Sequence, residues 1–453
     1  IDGNPRPNPA GTNPDIGAYE NPYGVPQYKP AVINVPADYT TIQAALTAAI
    51  ATDTVLVQPG TYTENIFWPE TNGIKLISAG DSSNTIIDGG GTSSVIYMNP
   101  QTATIDTTTL IQGFKITNGG DVSNGGGIYT SNSGYIINEC SINQNSAISG
   151  GGIFSQGSIN NIVKIINSTF VNNHSNNRGG GINIYGCLVK ILNSNINSNS
   201  TDLNNVSGYG GGIYTEHSTL ILDNVVVSEN ISCYGGGGIL SYATKVVAND
   251  IIISDNSCDW SGGGGWKVES GSDSIIVNNA LFENNSAVRG GGLCYPNAGP
   301  LVLTNSIFRS NITTSQDGAG LYFTSGNNLL ENIIIYGNIS ARNGGGIQIG
   351  TGGGGNAFVT IRGVTISNNV GGGIANVSGN ASLTNVIIAQ NNGPGYTGGG
   401  TLTNVSIINN TGIGLSAITS IDSSNIAYNG TGVYNSNNSS LVDALDNYWG
   451  HSS

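Results

Sequence analysis

The chain has 453 residues, of which 69 are glycine, one is methionine and only 9% are charged. A net charge of −14 with 13 Lys and Arg argues against nucleic acid or an anionic membrane as partner, because both demand clustered cations. Five cysteines with no CxxC spacing form neither a disulfide framework nor a zinc site, and no run of about 18 apolar residues offers a membrane span.

Residues 1–30 are dense in Pro, Gly and Asn and read as an extended segment, the end of a preceding unit. The chain begins at Ile1 without Met and is read as a piece of a longer, processed protein. Residues 31–62 read as strand, short helix, strand. AVINVP is strand-like. TTIQAALTAAI has Thr40 or Thr41 as N-cap and apolar residues at helical spacing, and TVLVQPGTY closes on a Pro-Gly turn. Such a unit would cap one end of a larger apolar core.

From residue 110 a repeat takes over. The apolar residues that follow each glycine cluster are Ile128, Ile153, Ile182, Ile213, Ile239, Trp266, Leu293, Leu321, Ile347 and Ile374, at gaps of 25 to 31 residues. Weaker echoes follow at GPGY, GIGL and GTGV, at gaps of 22, 19 and 18. A fixed period in this range means a solenoid. Each period holds short β-branched runs, not the Ala, Leu, Glu and Lys of helical repeats. The predicted fold is therefore all-β, a parallel β-helix of about 12 coils of roughly 27 residues, occupying 31–453.

The glycines are architectural in this reading. Equivalent residues of successive coils stack, so a corner of positive φ or close backbone approach admits only Gly cheaply. About half a coil later an apolar residue points inward and an Asn takes the turn. Asn145, Asn173, Asn199, Asn230, Asn256, Asn285, Asn311, Asn338, Asn369 and Asn410 would then form a ladder of amides along the rod.

TTIQAALTAAIATDTVLVQPGTY resembles the opening of pectin-lyase-like right-handed parallel β-helix proteins. The GGGI beat paired with F-x-x-N resembles the repeats of chlamydial polymorphic outer-membrane proteins and of secreted bacterial surface β-helix proteins. DIGAYE (15–20) and DNYWG (446–450) resemble closing segments of such units. The resemblance implies a right-handed coil, a tandem array and a secreted or cell-surface location. It also implies that an enzyme of this kind would carry clustered acidic calcium ligands with a basic residue, or paired carboxylates. No such cluster is visible in the sequence, and calcium is the one cofactor an enzyme reading would admit.

Phase arithmetic brings Glu216, Lys267 and Glu269 near one another, with Tyr242 between the two carboxylates, and these are the catalytic candidates if the protein is an enzyme. Positions one and three residues after each beat should face outward. They supply the predicted ligand-contact rings: Tyr129, Phe154, Tyr185, Tyr214, Tyr242 and Tyr322. Cys233 and Cys258 precede consecutive glycine corners and are predicted to form a disulfide. The leading functional reading is a non-enzymatic structural rod, such as an adhesin, stalk or fibre component. It would present a face to a surface glycan or protein and stack end to end through residues 1–24. The alternative is a polysaccharide-active lyase or hydrolase, or a carbohydrate-binding module.

Overall fold

The computed structural model describes residues 30–203, 207–269, 271, 274–296, 299–350, 357–418, 420–434, 443–445 and 447–449. The leading Pro/Gly-rich segment through residue 29, including the stretch 1–24 expected to dock on a neighbour, lies outside the described residues, as do the first and last residues of DNYWG.

The cap forms as its sequence dictates. Val32–Val35 is a strand, Ile42–Ala48 is an α-helix, and Thr54–Val57 and Gly60–Thr63 are strands. Thr41 is the N-cap, its hydroxyl accepting from the Ala44 N–H at 3.1 Å. The Glu64 carboxylate accepts from the Ile42 and Gln43 N–H groups, both at 2.9 Å, so one acid just past the Gly60–Thr63 strand satisfies two more orphan donors. Ile42, Ala45 and Leu46 face the end of the core.

The rest is a coil of parallel strands. One sheet stacks 15 strands from Ile66–Phe67 to Thr431–Tyr434; a larger sheet has 27 strands and a shorter one has seven. The protein is a right-handed parallel β-helix. The predicted dozen coils becomes 15 stacked levels in the first sheet because strands at Ile66 and Ile96 precede the glycine beat. The weak echoes are real coils, with Ile374 paired to Tyr396, Tyr396 to Leu415 and Leu415 to Val433. Beat residues such as Ile128, Ile182, Ile239, Trp266 and Leu321 are fully buried. Each such aliphatic side chain contributes about 1.5–3 kcal/mol through removal from water.

The glycine corners have two separate needs. Gly150 opens its cluster with φ +68°, a conformation that strains any residue with a Cβ. Gly152, two residues on, would place a Cβ 2.5 Å from the carbonyl oxygen of Gly181 in the next coil, so close stacking excludes a side chain there.

The asparagine ladder is present and extends further than predicted. Asn145 Nδ2 donates to Asn173 Oδ1 at 3.0 Å, and the same contact repeats through Asn199, Asn230, Asn256, Asn285, Asn311, Asn338, Asn369, Asn391, Asn410 and Asn429. Asn391 and Asn429, on either side of the predicted Asn410, are the additional members. One attribution needs correction. The ladder asparagines do not take the left-handed turn; the residue before each one does, as at Gln144 (φ +54°), Asn172 (+54°), Ser198 (+55°) and Glu229 (+56°).

The predicted Cys233–Cys258 disulfide does not form; both thiols are free and buried. The register pairs Cys258 with Ser232, not with Cys233. A one-residue offset turns the two side chains to different sides of the stacked backbone. Cys140, Cys187 and Cys294 are also free and buried.

Candidate outer-face site

The 15-stranded sheet builds the site by register. Along one outer column Phe67, Tyr97, Tyr129, Phe154, Asn183, Tyr214, Leu240, Lys267, Cys294 and Tyr322 stack in order. Two residues further along each strand, a second column stacks Gln156, Tyr185, Glu216 and Tyr242. Glu269 continues it, its backbone N–H donating to Ser241 at 2.7 Å. The phase arithmetic on Glu216, Tyr242 and Glu269 is therefore realised in space.

The first column is not the open strip that alternation suggests. Tyr214 is 5% exposed and Tyr322 4%, so neither offers a free ring face. Residues at the preceding corners fold over them. The Arg178 guanidinium lies 5.0 Å from the Tyr214 ring centroid, and that of Arg289 lies 6.0 Å from the Tyr322 ring. Lys267 is likewise covered, at 5% exposure, with its Nζ 5.2 Å from the Tyr234 ring centroid. In the second column Tyr185 and Tyr242 are open, at 46% and 37%. Tyr129 and Phe154 are half-buried.

The charged groups form two pairs. Arg178 Nη1 and the Tyr214 hydroxyl both donate to Glu216 Oε2 at 2.9 Å. His217 Nε2 stands 3.8 Å from Glu216 Oε1, and its ring meets Tyr185 and Tyr242 edge-on at 5.8 and 6.0 Å. Lys267 Nζ pairs with Glu269 Oε1 at 2.5 Å and donates to Ser261 Oγ at 3.2 Å. Burial alone would lower the Lys267 pKa; the Glu269 charge beside it more than offsets this and holds the ammonium above its ordinary value. Burial pushes the Tyr214 hydroxyl well above the usual phenol range, against the pull of Arg178. Lys267 is thus a cation fixed under the surface, not a base poised to accept a proton.

Arg178, Tyr209, Tyr214, Glu216, Leu240, Tyr242 and Glu269 line a cleft of about 370 Å³. A second, of about 290 Å³, is lined by Phe154, Gln156, Asn183 and Tyr185 and shares Arg178 and Glu216 with the first. The two adjoin at the Arg178–Glu216 pair and make a two-part furrow on the outer face. Sequence reasoning missed Arg178, Tyr209 and Tyr234, all set at the glycine corners. The signal was there: four residues before the beat stand Arg178, Tyr209, Gly235, Gly262 and Arg289, which are stacked neighbours. Where this column drops to glycine the corner leaves room. A Cβ on Gly235 would sit 2.8 Å from Lys267 Cδ, and one on Gly262 2.5 Å from Cys294 Sγ. The runs of four glycines at 235–238 and 262–265 therefore mark where the buried lysine is housed.

Among the described residues no three His, Cys, Asp or Glu side chains are grouped to hold a metal ion. No described helix is long and apolar enough to cross a membrane.

Residues 212–393 match the family described as right handed beta helix region. No curated protein matches the chain. Among solved structures, the periplasmic alginate epimerase AlgG is similar at 13% identity over 92% of this chain and 83% of its own, with a TM-score of 0.34. A mannuronic acid specific polysaccharide family 6 lyase from human gut microbiota is similar at 13% identity over 89% and 82%, with a TM-score of 0.30. The Azotobacter vinelandii mannuronan C-5 epimerase AlgE6 A-module is similar at 12% identity over 91% and 96%, with a TM-score of 0.28.

Proposed function

We propose that this right-handed parallel β-helix binds a polysaccharide strand laid along the coil axis in the furrow from Phe154 to Glu269. The observation that carries this reading is the sharing of Arg178 and Glu216 by two adjoining clefts. Together they cross five coils, a run of roughly 19 Å at about 4.8 Å per step. The lining suits a sugar. Exposed Tyr185 and Tyr242 supply apolar ring surface, and Gln156 and the carboxylates supply hydroxyl partners. Both cations of the furrow are already paired, Arg178 with Glu216 and Lys267 with Glu269. The favoured ligand is therefore an uncharged glycan and not a polyuronate, which would have to compete with two resident carboxylates. This sets the alternative sequence reading above the purely structural rod, which leaves the furrow without a purpose. Secretion or surface display agrees with such a ligand.

A second reading, cleavage of the bound strand, is favoured by one feature: Glu216 and Glu269 line the same cleft with Tyr242 between them. Their positions are two coils apart, roughly 10 Å, at or beyond the range of about 6.5–9.5 Å for inverting hydrolysis. Each carboxylate is also engaged in an ion pair, Glu216 with Arg178 and Glu269 with Lys267. Binding without turnover is the primary expectation.

The test is incubation with neutral and acidic polysaccharides, with and without calcium, reading both retention and product release. Retention on a neutral polymer, weakened about tenfold by Glu216→Gln through loss of charge-assisted bonds, supports the proposal. Retention on polyuronates alone, or on nothing, overturns it. Product release abolished in the same variant establishes the cleavage reading instead.

A further inference from the structure

Four outer rings form a ladder that runs into the furrow and stops there. Phe67 and Tyr97 lie 5.8 Å apart between centroids, tilted by 54°. Tyr97 and Tyr129 lie 4.8 Å apart at 12°, and Tyr129 and Phe154 5.8 Å apart at 3°. Tyr129 therefore has both ring faces covered by neighbours, and Tyr97 is enclosed between Phe67 and Tyr129. Such rings gain stacking energy from one another but present no face to a ligand.

Phe154 is different. One face meets Tyr129. On the other side the register places Asn183, whose side chain is shorter than a phenylalanine ring. The Asn183 amide turns toward the corner, its Nδ2 donating to the Arg178 carbonyl at 3.4 Å. Beyond the reach of that amide the outer part of the Phe154 face borders the cleft that Gln156, Tyr185, Arg178 and Glu216 also line. Gln156 is steadied from the ladder side, its Nε2 donating to the Tyr129 hydroxyl at 3.1 Å. An apolar face beside a fixed amide and an ion-paired carboxylate is the surface that one sugar ring needs: a C–H face to stack and hydroxyls to hydrogen-bond.

We propose that Phe154 is a sugar-stacking subsite at the end of the ring ladder, holding one unit of a neutral glycan whose next units pass Arg178 and Glu216 toward Glu269. Tyr129, stacked on its other face, is the backing that holds the Phe154 ring in place. This rests on the furrow being a glycan site. It adds a ring-specific anchor and a defined end to the bound strand.

The experiment measures affinity for the neutral polysaccharide that the wild-type protein retains, by electrophoresis through gels of graded polymer content. The variants are Phe154→Ala, Phe154→Trp, Phe67→Ala and Glu216→Gln, each first checked by its thermal midpoint. Phe154→Ala is expected to lose about tenfold in affinity, equivalent to about 1.4 kcal/mol. Phe154→Trp should retain binding, and Phe67→Ala, at the far end of the same ladder, should bind as wild type. Unchanged binding by Phe154→Ala while Glu216→Gln loses affinity overturns the subsite and leaves the furrow standing. Equal losses in Phe67→Ala and Phe154→Ala also overturn it, because the ladder would then act as structure alone. Absence of wild-type binding to any neutral polymer removes both the furrow reading and the subsite.

Discussion

Two asparagine columns run the length of the coil, and the same residue does a different job in each. The outer column includes Asn167, Asn193, Asn224, Asn279, Asn305, Asn332, Asn385 and Asn404, all exposed and all in the left-handed region at φ between +49° and +57°. Asn is used there because it adopts that turn at little cost. Its side-chain contacts, such as Asn224 Nδ2 to Asn193 Oδ1 at 3.0 Å, lie in water. The inner column, Asn145 to Asn429, has no positive φ. It is used for its amide. Asn256, buried at 1% exposure, accepts from the backbone N–H and the Nδ2 of Asn230, both at 3.0 Å. It donates to Val227 O at 2.9 Å and to Asn285 Oδ1 at 3.0 Å. Burial, not residue type, separates a conformational role from a hydrogen-bonding one.

The largest expected effect lies inside. Asn256→Ala breaks four side-chain hydrogen bonds in a dry corner and takes the partner from the Asn230 backbone N–H, although Asn230 Nδ2 keeps Ile196 O at 2.8 Å and Asn285 Oδ1 keeps the backbone N–H of residue 256 at 3.1 Å. It should cost on the order of 4 kcal/mol in urea unfolding at pH 7. A loss below about 1 kcal/mol would mean that the ladder ornaments the coil without holding it.

An ionisable group sharpens the same contrast. Burial pushes the Cys140 thiol from 9.0 up to about 12. Its folded pKa exceeds the unfolded one, so its contribution is complete below pH 9 and is lost as pH rises from 9 toward 12. The slope should be about 1.4 kcal/mol per unit, or about 3 kcal/mol by pH 11. Unfolding midpoints from pH 8 to 11 should fall more steeply for the wild type than for Cys140→Ala. Equal slopes would show that the thiol reaches water.

The smallest effect belongs outside. Asn224→Gly preserves the left-handed turn and removes only an exposed amide contact, so it should change stability by less than about 0.5 kcal/mol. A change as large as that of Asn256→Ala would erase the distinction between the columns.

Much of the fold was legible because a coil is a one-dimensional repeat. The beat at Ile128, Ile153 and Ile182 identifies the stacked inward positions directly, and Thr41, Ile42 and Leu46 declare the capping helix. The site was legible in part. Glu216, Tyr242 and Glu269 followed from counting, since equal phase means equal height on neighbouring strands. The covering of Tyr214 and Tyr322 did not follow, because Arg178 and Arg289 reach them from a different corner of the coil. The disulfide failed on a single residue of register, which proximity of Cys233 and Cys258 to glycine corners could not reveal.

The sequence by itself determined the coil, its period and its inward face, because each of these depends on residues within one repeat and on its identical neighbour. Only the tertiary structure decided which outward side chains stay open. That choice turns on long side chains such as Arg178 and Lys267, whose reach spans coils. It also turns on whether the stacked corner position beside them is a bulky residue or, as at Gly235 and Gly262, no side chain at all.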